Sequence, residues 1–104
     1  MRFVAGSIDI AASGAEKALS EHGSIEPADK VLSIIARNSV RNTSNNNVFM
    51  GVTGISTTQG WAMLPGEATP SVNFRDMGGS VRADSILFDV TTSGDDIDFI
   101  AILE

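Results

Sequence analysis

Apolar and polar residues alternate along several short stretches of this chain. Alternation with a period of two is typical of β-strands that bury one face. The first such stretch covers residues 2–10. Its apolar positions are predicted to face the core and its polar positions the solvent: Val4, Gly6, Ile8 and Ile10 against Ser7 and Asp9. We therefore predict a half-buried first strand.

Further strands are predicted at close intervals along the rest of the chain. They cover residues 31–38, 48–52, 55–58, 61–64, 69–75, 85–91 and 97–104. Their predicted core-facing residues are Leu32, Ile34 and Ala36, then Val48, Met50 and Val52, then Pro70, Val72 and Phe74, then Ile86, Phe88 and Val90, and last Ile97, Phe99, Ala101 and Leu103. The residues predicted to face outward are Ser33, Arg37, Ser71, Asn73 and Arg75. Because proline lacks a backbone donor, Pro70 places residues 69–75 at a sheet edge.

Glycine, proline and short polar residues separate these strands and predict tight turns. Turns are expected at Glu26-Pro27-Ala28-Asp29, Thr53-Gly54, Gln59-Gly60 and Leu64-Pro65-Gly66-Glu67, and a loop at Met77-Gly78-Gly79. Ser93-Gly94-Asp95-Asp96 is expected to close a hairpin between the last two strands. The run of Asn, Ser and Thr over residues 39–47 is too polar to pack, so it predicts an exposed loop.

Residues 13–23 are compatible with two structures. Ser13 and Glu16 have the spacing of a capping box, which would begin a short helix that ends near Gly23. The alternative is a strand over residues 17–20. We favour an extended or irregular segment, because few apolar residues would hold a helix against the core.

Together these elements predict an all-β chain of about seven to eight short strands, with at most one short helix. The fold class is a small antiparallel β-sandwich or a jelly-roll-like barrel. Greek-key and meander topologies share this local pattern, so the strand order stays open. The chain has no internal repeat and no linker, and we predict that residues 1–104 form a single domain.

The last predicted strand carries apolar residues on both faces. Ile100 and Ile102 lie opposite the predicted core face. An apolar pair in that position is buried either by a second sheet or by contact with another copy in an oligomer.

Composition narrows the class of partner. The chain has 104 residues and a formal net charge of −6, which disfavours binding to nucleic acid or to anionic membrane surfaces. It contains no cysteine, so disulfides and thiolate metal sites are excluded. No segment has the apolar length of a membrane span, and the first residues lack the pattern of a secretory signal. We expect synthesis in a cytoplasm.

Residues with possible chemistry are few and scattered. His22 is the only histidine, and a solvated surface position is favoured over a catalytic or metal-binding one. Asp95, Asp96 and Asp98 could in principle bind Ca²⁺, but the spacing of an EF-hand is absent and a solvated turn is favoured. We predict no catalytic residue, no metal ligand and no cofactor, and therefore no enzyme.

Three further patterns have the composition of possible sites. Residues 51–54 contain two glycines, but no helix follows as a phosphate loop requires, so turn glycines are favoured. Asn42-Thr43-Ser44 matches a glycosylation acceptor without an accompanying secretory signal, and we treat it as coincidence. Trp61, Met50, Met63 and Met77 either line a contact surface or fill the core, and the two alternatives stay open.

The stretch from residue 48 to residue 67 reads Val-Phe-Met-Gly, then Gly-Ile-Ser-Thr-Thr-Gln-Gly, then Met-Leu-Pro-Gly-Glu. This order of strand, turn, Pro-Gly-Glu turn and strand resembles small β-sandwich virion proteins of tailed bacteriophages, of the capsid-decoration or head-auxiliary type. The likeness extends from Val31 to the last strand. It implies a non-enzymatic virion structural protein without a cofactor. The expected partners are other virion proteins, above all the major capsid protein, and further copies of this chain in a homo-oligomer.

Two rival functions remain at this stage. One is a tail, baseplate or fibre-associated module with carbohydrate binding, for which an exposed Trp61 would argue. The other is a small jelly-roll hydrolase, for which a metal bound by His22 in a pocket would argue. The resemblance fixes no contact residue and does not separate head from tail.

Overall fold

The computed structural model describes residues 1–52, 61–74 and 79–104, and this part of the chain folds into two antiparallel sheets around one core. In chain order its strands are β1 (Arg2–Asp9), β2 (Lys17–Ala18), β3 (Lys30–Asn38), β4 (Val48–Val52), β5 (Trp61–Met63), β6 (Val72–Asn73), β7 (Val81–Arg82), β8 (Ile86–Val90) and β9 (Asp96–Leu103). Two short 3₁₀ turns, Leu19–Glu21 and Ala83–Ser85, precede β3 and β8. The all-β class and the β-sandwich are confirmed.

Strand order identifies the sandwich as a jelly roll. The five-stranded sheet has the order β1-β9-β3-β6, with β7 also paired to β3, and the four-stranded sheet has the order β2-β8-β4-β5. Early strands thus pair with late ones: β1 with β9, β2 with β8, β3 with β6 and β7, and β4 with β5. These pairs form one long antiparallel hairpin. Two further pairings, β9 with β3 and β8 with β4, fold that hairpin into the two sheets. The sequence pattern did not determine this strand order, because Greek-key and meander topologies share the same local pattern.

Alternating residues of both sheets fill the core, as the strand patterns predict. The fully buried side chains include Phe88, Ile10, Leu19, Ile34, Met63, Ile86, Ile97, Leu103, Val31, Val48 and Val90. Burying a side chain of this size contributes about 1.5–3 kcal/mol to folding. The twenty hydrophobic residues that are buried within the described parts of the chain therefore supply most of the driving force for folding, since the chain has no disulfides.

A β-bulge changes the predicted faces of β3. The register between β3 and β9 shifts between Val31 and Ser33, so Leu32 is left out of the pairing. Val31 is consequently buried, whereas Leu32, predicted to face inward, is only half-buried. Ile34 and Ala36 face the core as predicted, and Arg37 faces outward.

The predicted hairpin between the last two strands is wrong. β8 belongs to the four-stranded sheet and β9 to the five-stranded sheet, so residues 93–96 carry the chain across the sandwich. The turn is held by Gly94, whose backbone N–H donates to the Ile10 carbonyl at 2.8 Å. Gly94 has a φ of +90°, a conformation that glycine adopts without steric cost.

The extended or irregular structure favoured for residues 13–23 is confirmed, and the capping box is wrong. The Ser13 hydroxyl donates to the Val90 carbonyl at 2.8 Å, and the Gly14 N–H donates to the buried Asp89 carboxylate at 3.0 Å. These bonds fix the segment against β8, after which Lys17–Ala18 pairs as β2. Local spacing did not reveal the distant partner that Ser13 takes instead of Glu16.

The remaining predictions have mixed outcomes. The turns at residues 26–29 and 64–67 are confirmed by the Asp29 N–H to Glu26 carbonyl bond and the Glu67 N–H to Leu64 carbonyl bond. The edge position of residues 69–75 is confirmed for β6. Pro70 is exposed rather than inward-facing, and it lies between the bridge of Ala68 with Arg37 and the start of β6 at Val72. The predictions for residues 53–60 and 75–78, and for the Val52 side chain, lie outside the described residues.

The polar run over residues 39–47 is a loop, as predicted, but it is anchored rather than free. Asn38 is buried and donates to the carbonyls of Asn46 and Met63 at 3.0 and 3.2 Å. Asn42 donates to the Asn38 side-chain oxygen at 2.8 Å and to the Asp96 carbonyl at 2.7 Å. The loop is therefore held at fixed positions beside the start of β9.

Candidate interaction surfaces

The side of the five-stranded sheet that points away from the core carries both apolar and charged residues, and we call it the outer face. Its members on β1, β9 and β3 are Phe3, Ala5, Ser7, Asp9, Asp96, Asp98, Ile100, Ile102, Ser33, Ile35 and Arg37. They stand in cross-strand rows, because directly paired residues project to the same side of a sheet. The rows divide the face into an apolar half and a charged half.

The apolar half contains two rows that cross the sheet through β9. One row is Phe3, Ile102 and Ser33, and the next is Ala5, Ile100 and Ile35. Phe3 is 71% exposed and Ile100, on the central strand of three, is 51% exposed. No described part of the chain covers these residues. Of the two alternatives for Ile100 and Ile102, burial by a second sheet of the same chain is therefore wrong.

The charged half continues the same three strands toward the polar loop. Asp98 accepts hydrogen bonds from the Ser7 hydroxyl at 2.5 Å and from Arg37 Nε at 3.0 Å. Arg41 extends from the loop and places its guanidinium 3.3 Å from the Asp96 carboxylate and 3.6 Å from that of Asp98. Asp9 pairs with Asp96 on the other side of β9. Both signs of charge are thus present, on opposite flanks of the central strand.

The two aspartates of β9 have opposite pKa shifts. Burial raises the pKa of Asp96 above the ordinary aspartate value, and the neighbouring Asp9 and Asp98 raise it further against the opposing effect of Arg41. Burial also acts to raise the pKa of Asp98, but hydrogen bonds from Ser7 and Arg37 outweigh it, and the net pKa is lowered. Asp98 is therefore stabilised as a carboxylate, whereas Asp96 is not.

An open groove of about 740 Å³ lies along the boundary between the apolar and charged halves. Residues lining it include Ala5, Ser7, Ile35, Arg37, Val40 and Ile100. Apolar residues that border charged ones on an accessible surface are typical of protein-binding sites.

A second exposed apolar site lies at β5, an edge strand of the four-stranded sheet. Trp61 begins β5 and is 57% exposed, and Leu64 follows that strand and is 52% exposed. Met50 and Met63 are buried, so these two methionines fill the core whereas Trp61 lies at the surface. Met77 lies outside the described residues. Of the two alternatives for this group, filling the core therefore holds for Met50 and Met63, and a position at the surface holds for Trp61.

His22 is not the solvated residue that the sequence favoured. Its ring is half-buried and meets the ring of Phe99 edge to face, with centroids 5.3 Å apart and planes at 88°. Its Nδ1 accepts from the Ser24 N–H at 3.3 Å. Among the described residues, no group of three or more His, Asp or Glu side chains is placed to hold a metal ion.

The acidic cluster after β8 is not a solvated turn either. Asp95 is buried and accepts from the Ser44 hydroxyl at 2.5 Å, whereas Asp96 and Asp98 lie on the outer face with arginine partners. Asp95 therefore has a partner of its own, whereas Asp96 and Asp98 share Arg41. These partners could not be predicted from the sequence, because Ser7, Arg37, Arg41 and Ser44 lie far from the cluster along the chain.

Sequence reasoning found part of the outer face. It singled out Ile100 and Ile102 on β9, and it placed Ser7 and Asp9 of β1 opposite the core. It did not bring these residues together, because that step requires the pairing of β1 with β9. The contributions of Ile35 and Arg41 were missed for the same reason.

Comparison of the chain with protein-family models, with curated proteins and with solved structures finds no match in any of the three. Among the described residues, no helix has the length and apolarity needed to span a bilayer. The features of the molecule that bear on function are therefore its fold and its two exposed apolar surfaces.

Proposed function

We propose that this chain is a non-enzymatic structural protein of a tailed-bacteriophage virion, of the capsid-decoration or head-auxiliary type. In this role the folded chain binds the assembled shell of the major capsid protein. It is made in the cytoplasm of the bacterial host and resides in the virion.

The observation that carries the proposal is the jelly-roll strand order. Two sheets that pair early strands with late ones form the architecture of many viral coat domains. Jelly rolls also serve other functions, so the surface must supply the rest of the argument. Here the surface offers exposed apolar residues on both sheets, which suits a protein that acts through contact with other proteins.

The shell contact is assigned to Trp61 and Leu64. Tryptophan is enriched in the buried centres of protein interfaces, where its large ring is removed from water. Trp61 is more than half exposed in the isolated chain, so association would bury it. Leu64 is close by in sequence and similarly exposed, and it would extend the same contact.

The test is the copy number of the chain in virions of the phage that carries its gene. Quantitative gels and mass spectrometry of purified particles should find hundreds of copies, as repeated binding to a symmetric shell requires. A handful of copies would contradict the decoration role and favour the tail, and absence from the particle would contradict any virion role.

The Trp61→Ala variant tests the assigned contact. It should reduce the copy number at least tenfold, since an interface tryptophan commonly contributes about 2 kcal/mol or more. Glu16→Ala is the control, because Glu16 is exposed, lies outside the groove and precedes β2, at the opposite edge of the four-stranded sheet from Trp61. Equal loss with both variants would contradict the assignment of the contact to Trp61.

A second candidate is a tail, baseplate or fibre-associated module that binds carbohydrate, and the exposure of Trp61 is the observation that favours it. Aromatic faces stack on the apolar faces of sugars. Binding of the purified chain to a glycan array, abolished by Trp61→Ala and retained by Glu16→Ala, would establish this candidate in place of the decoration role. No binding to any glycan would remove it.

A further inference from the structure

We infer that the outer face of the five-stranded sheet binds a second copy of this chain, in a two-fold symmetric dimer whose axis runs parallel to β9. This inference goes beyond the proposed function and does not depend on it. The starting observation is that two mainly apolar rows, which cross β1, β9 and β3, are covered by no described part of the chain. Sheets commonly bury such a face against another sheet.

The axis direction follows from the sizes of the side chains. A two-fold axis along β9 places β1 of one copy over β3 of its partner, with the rows kept in register. The large Phe3 then lies over the small Ser33, and the large Ile35 lies over the small Ala5. Ile100 meets its own counterpart on the axis. Large residues therefore meet small ones on both flanks, which is the packing that closely spaced sheets require.

Under the same symmetry the charges on the two flanks of the outer face are complementary. Asp96 and Asp98 lie on the central strand and face their own counterparts, as Ile100 does, and the ion pairs with Arg37 and Arg41 of the same copy compensate their charges. Asp9 lies on the β1 flank of Asp96, whereas Arg41 approaches Asp96 from the β3 flank. The axis exchanges the two flanks, so Asp9 of each copy faces Arg41 of the other. The pairing of opposite charges offsets the repulsion expected between two chains that each carry a net charge of −6.

The area of the outer face suits a weak, reversible dimer. Eight residues of β9 at about 3.3 Å each and three strands about 4.8 Å apart give a face of roughly 26 by 14 Å, with a projected area of roughly 370 Å². Standard interfaces bury about 800 Å² per partner, so the dimer is expected to be weaker than that class. A concentration-dependent equilibrium follows.

Sedimentation velocity of the purified chain over a wide concentration range tests the inference. We expect a monomer–dimer equilibrium, which Ile100→Lys weakens about thirtyfold because the substitution occurs twice at the centre of the interface. Leu64→Lys is the matched control, since Leu64 is exposed to the same extent on the other sheet, and it should leave the equilibrium unchanged. A chain that is monomeric at every concentration would overturn the inference, as would equal loss with both variants.

A charge-swap experiment tests the axis itself and does not depend on the fold tolerating Ile100→Lys. Asp9→Lys and Arg41→Glu should each weaken self-association about tenfold, because each places like charges together twice. Mixed in equal amounts, the two variants should form heterodimers in at least tenfold excess over either homodimer in native mass spectrometry. A statistical mixture of dimers would overturn the two-fold arrangement.

The two proposals fail independently. Self-association is measured on the purified chain without any virion, and copy number is measured on particles. A dimer without a place in the virion would contradict only the decoration role, whereas an abundant virion protein that is monomeric in solution would contradict only this inference.

Discussion

At the scale of single residues, the absence of a side chain at Gly6 leaves space that the His22 ring occupies at the edge of the core. Gly6 lies opposite Phe99 in the pairing of β1 with β9, and the His22 ring occupies the space above it. A methyl group on Gly6 would clash with the imidazole, approaching its Cδ2 to 2.9 Å. The glycine is therefore needed for close approach rather than for an unusual backbone angle.

Gly6→Ala is expected to destabilise the chain by about 1–3 kcal/mol, because the imidazole must leave its contact with Phe99. Thermal and denaturant unfolding would measure the loss. The matched control is Gly23→Ala, because Gly23 has no atom within 4 Å of the new methyl group.

A double-mutant cycle sharpens this prediction. In a His22→Ala background the added methyl group no longer clashes, so Gly6→Ala should cost much less there. Equal costs in both backgrounds would show that His22 does not fill the space above Gly6.

At the scale of elements, the charged end of β9 links stability to pH. Asp96 and Asp98 lie two residues apart on the outer face and have opposite pKa shifts. The lowered pKa of Asp98 means that its ionised form stabilises the fold above the ordinary aspartate pKa of about 3.9, and that this contribution is lost as the pH falls through the folded value. The raised pKa of Asp96 has the opposite effect on stability, because it is the protonated form of Asp96 that stabilises the fold. Its contribution is complete below about pH 3.9 and is lost as the pH rises through the folded value.

Isosteric variants separate the two effects. At neutral pH, Asp98→Asn should lower the free energy of unfolding and Asp96→Asn should raise it, relative to the unsubstituted chain. The Asp96→Asn difference should shrink as the pH falls through the raised pKa of folded Asp96 toward about 3.9. The Asp98→Asn difference should shrink only as the pH falls below about 3.9, through the lowered pKa of folded Asp98. Each variant serves as the control for the other in denaturant unfolding between acidic and neutral pH. Two changes of the same sign would contradict the assigned environments.

The strands also show which parts of the fold were predictable from sequence. Alternation located β1, β3, β4, β8 and β9 to within about two residues, because each has one buried face. It could not show that β8 and β9 belong to different sheets, since a connection across a sandwich has the same Gly and Asp signals as a hairpin. It also missed the bulge at Leu32, which arises from pairing with β9 rather than from the local sequence.

At the scale of the whole molecule, the candidate site was predictable only in fragments. Ile100 and Ile102 stand out along the chain because both faces of their strand are apolar. Their partners Phe3 and Ile35 lie on β1 and β3, at the two sides of β9, and only the rolled hairpin brings the three strands together. A surface formed by residues this distant in sequence is a property of the strand order.

The molecule as a whole then presents two different contact surfaces. The outer face of the five-stranded sheet is proposed to bind a second copy, and the Trp61 end of the four-stranded sheet is proposed to bind the shell. The surfaces lie on different sheets, so both contacts can form at once. Copies joined in pairs bind a repeating shell with higher avidity than single copies do.

Electron cryomicroscopy of intact virions of the phage that carries this gene tests the central claim most directly. We expect density for a two-sheet domain of about 35 × 25 × 22 Å at regular, symmetry-related positions on the outside of the shell, with Trp61 at the contact. Particles whose shells lack this density, or that carry it only at the tail, would contradict the proposal that the chain decorates the capsid.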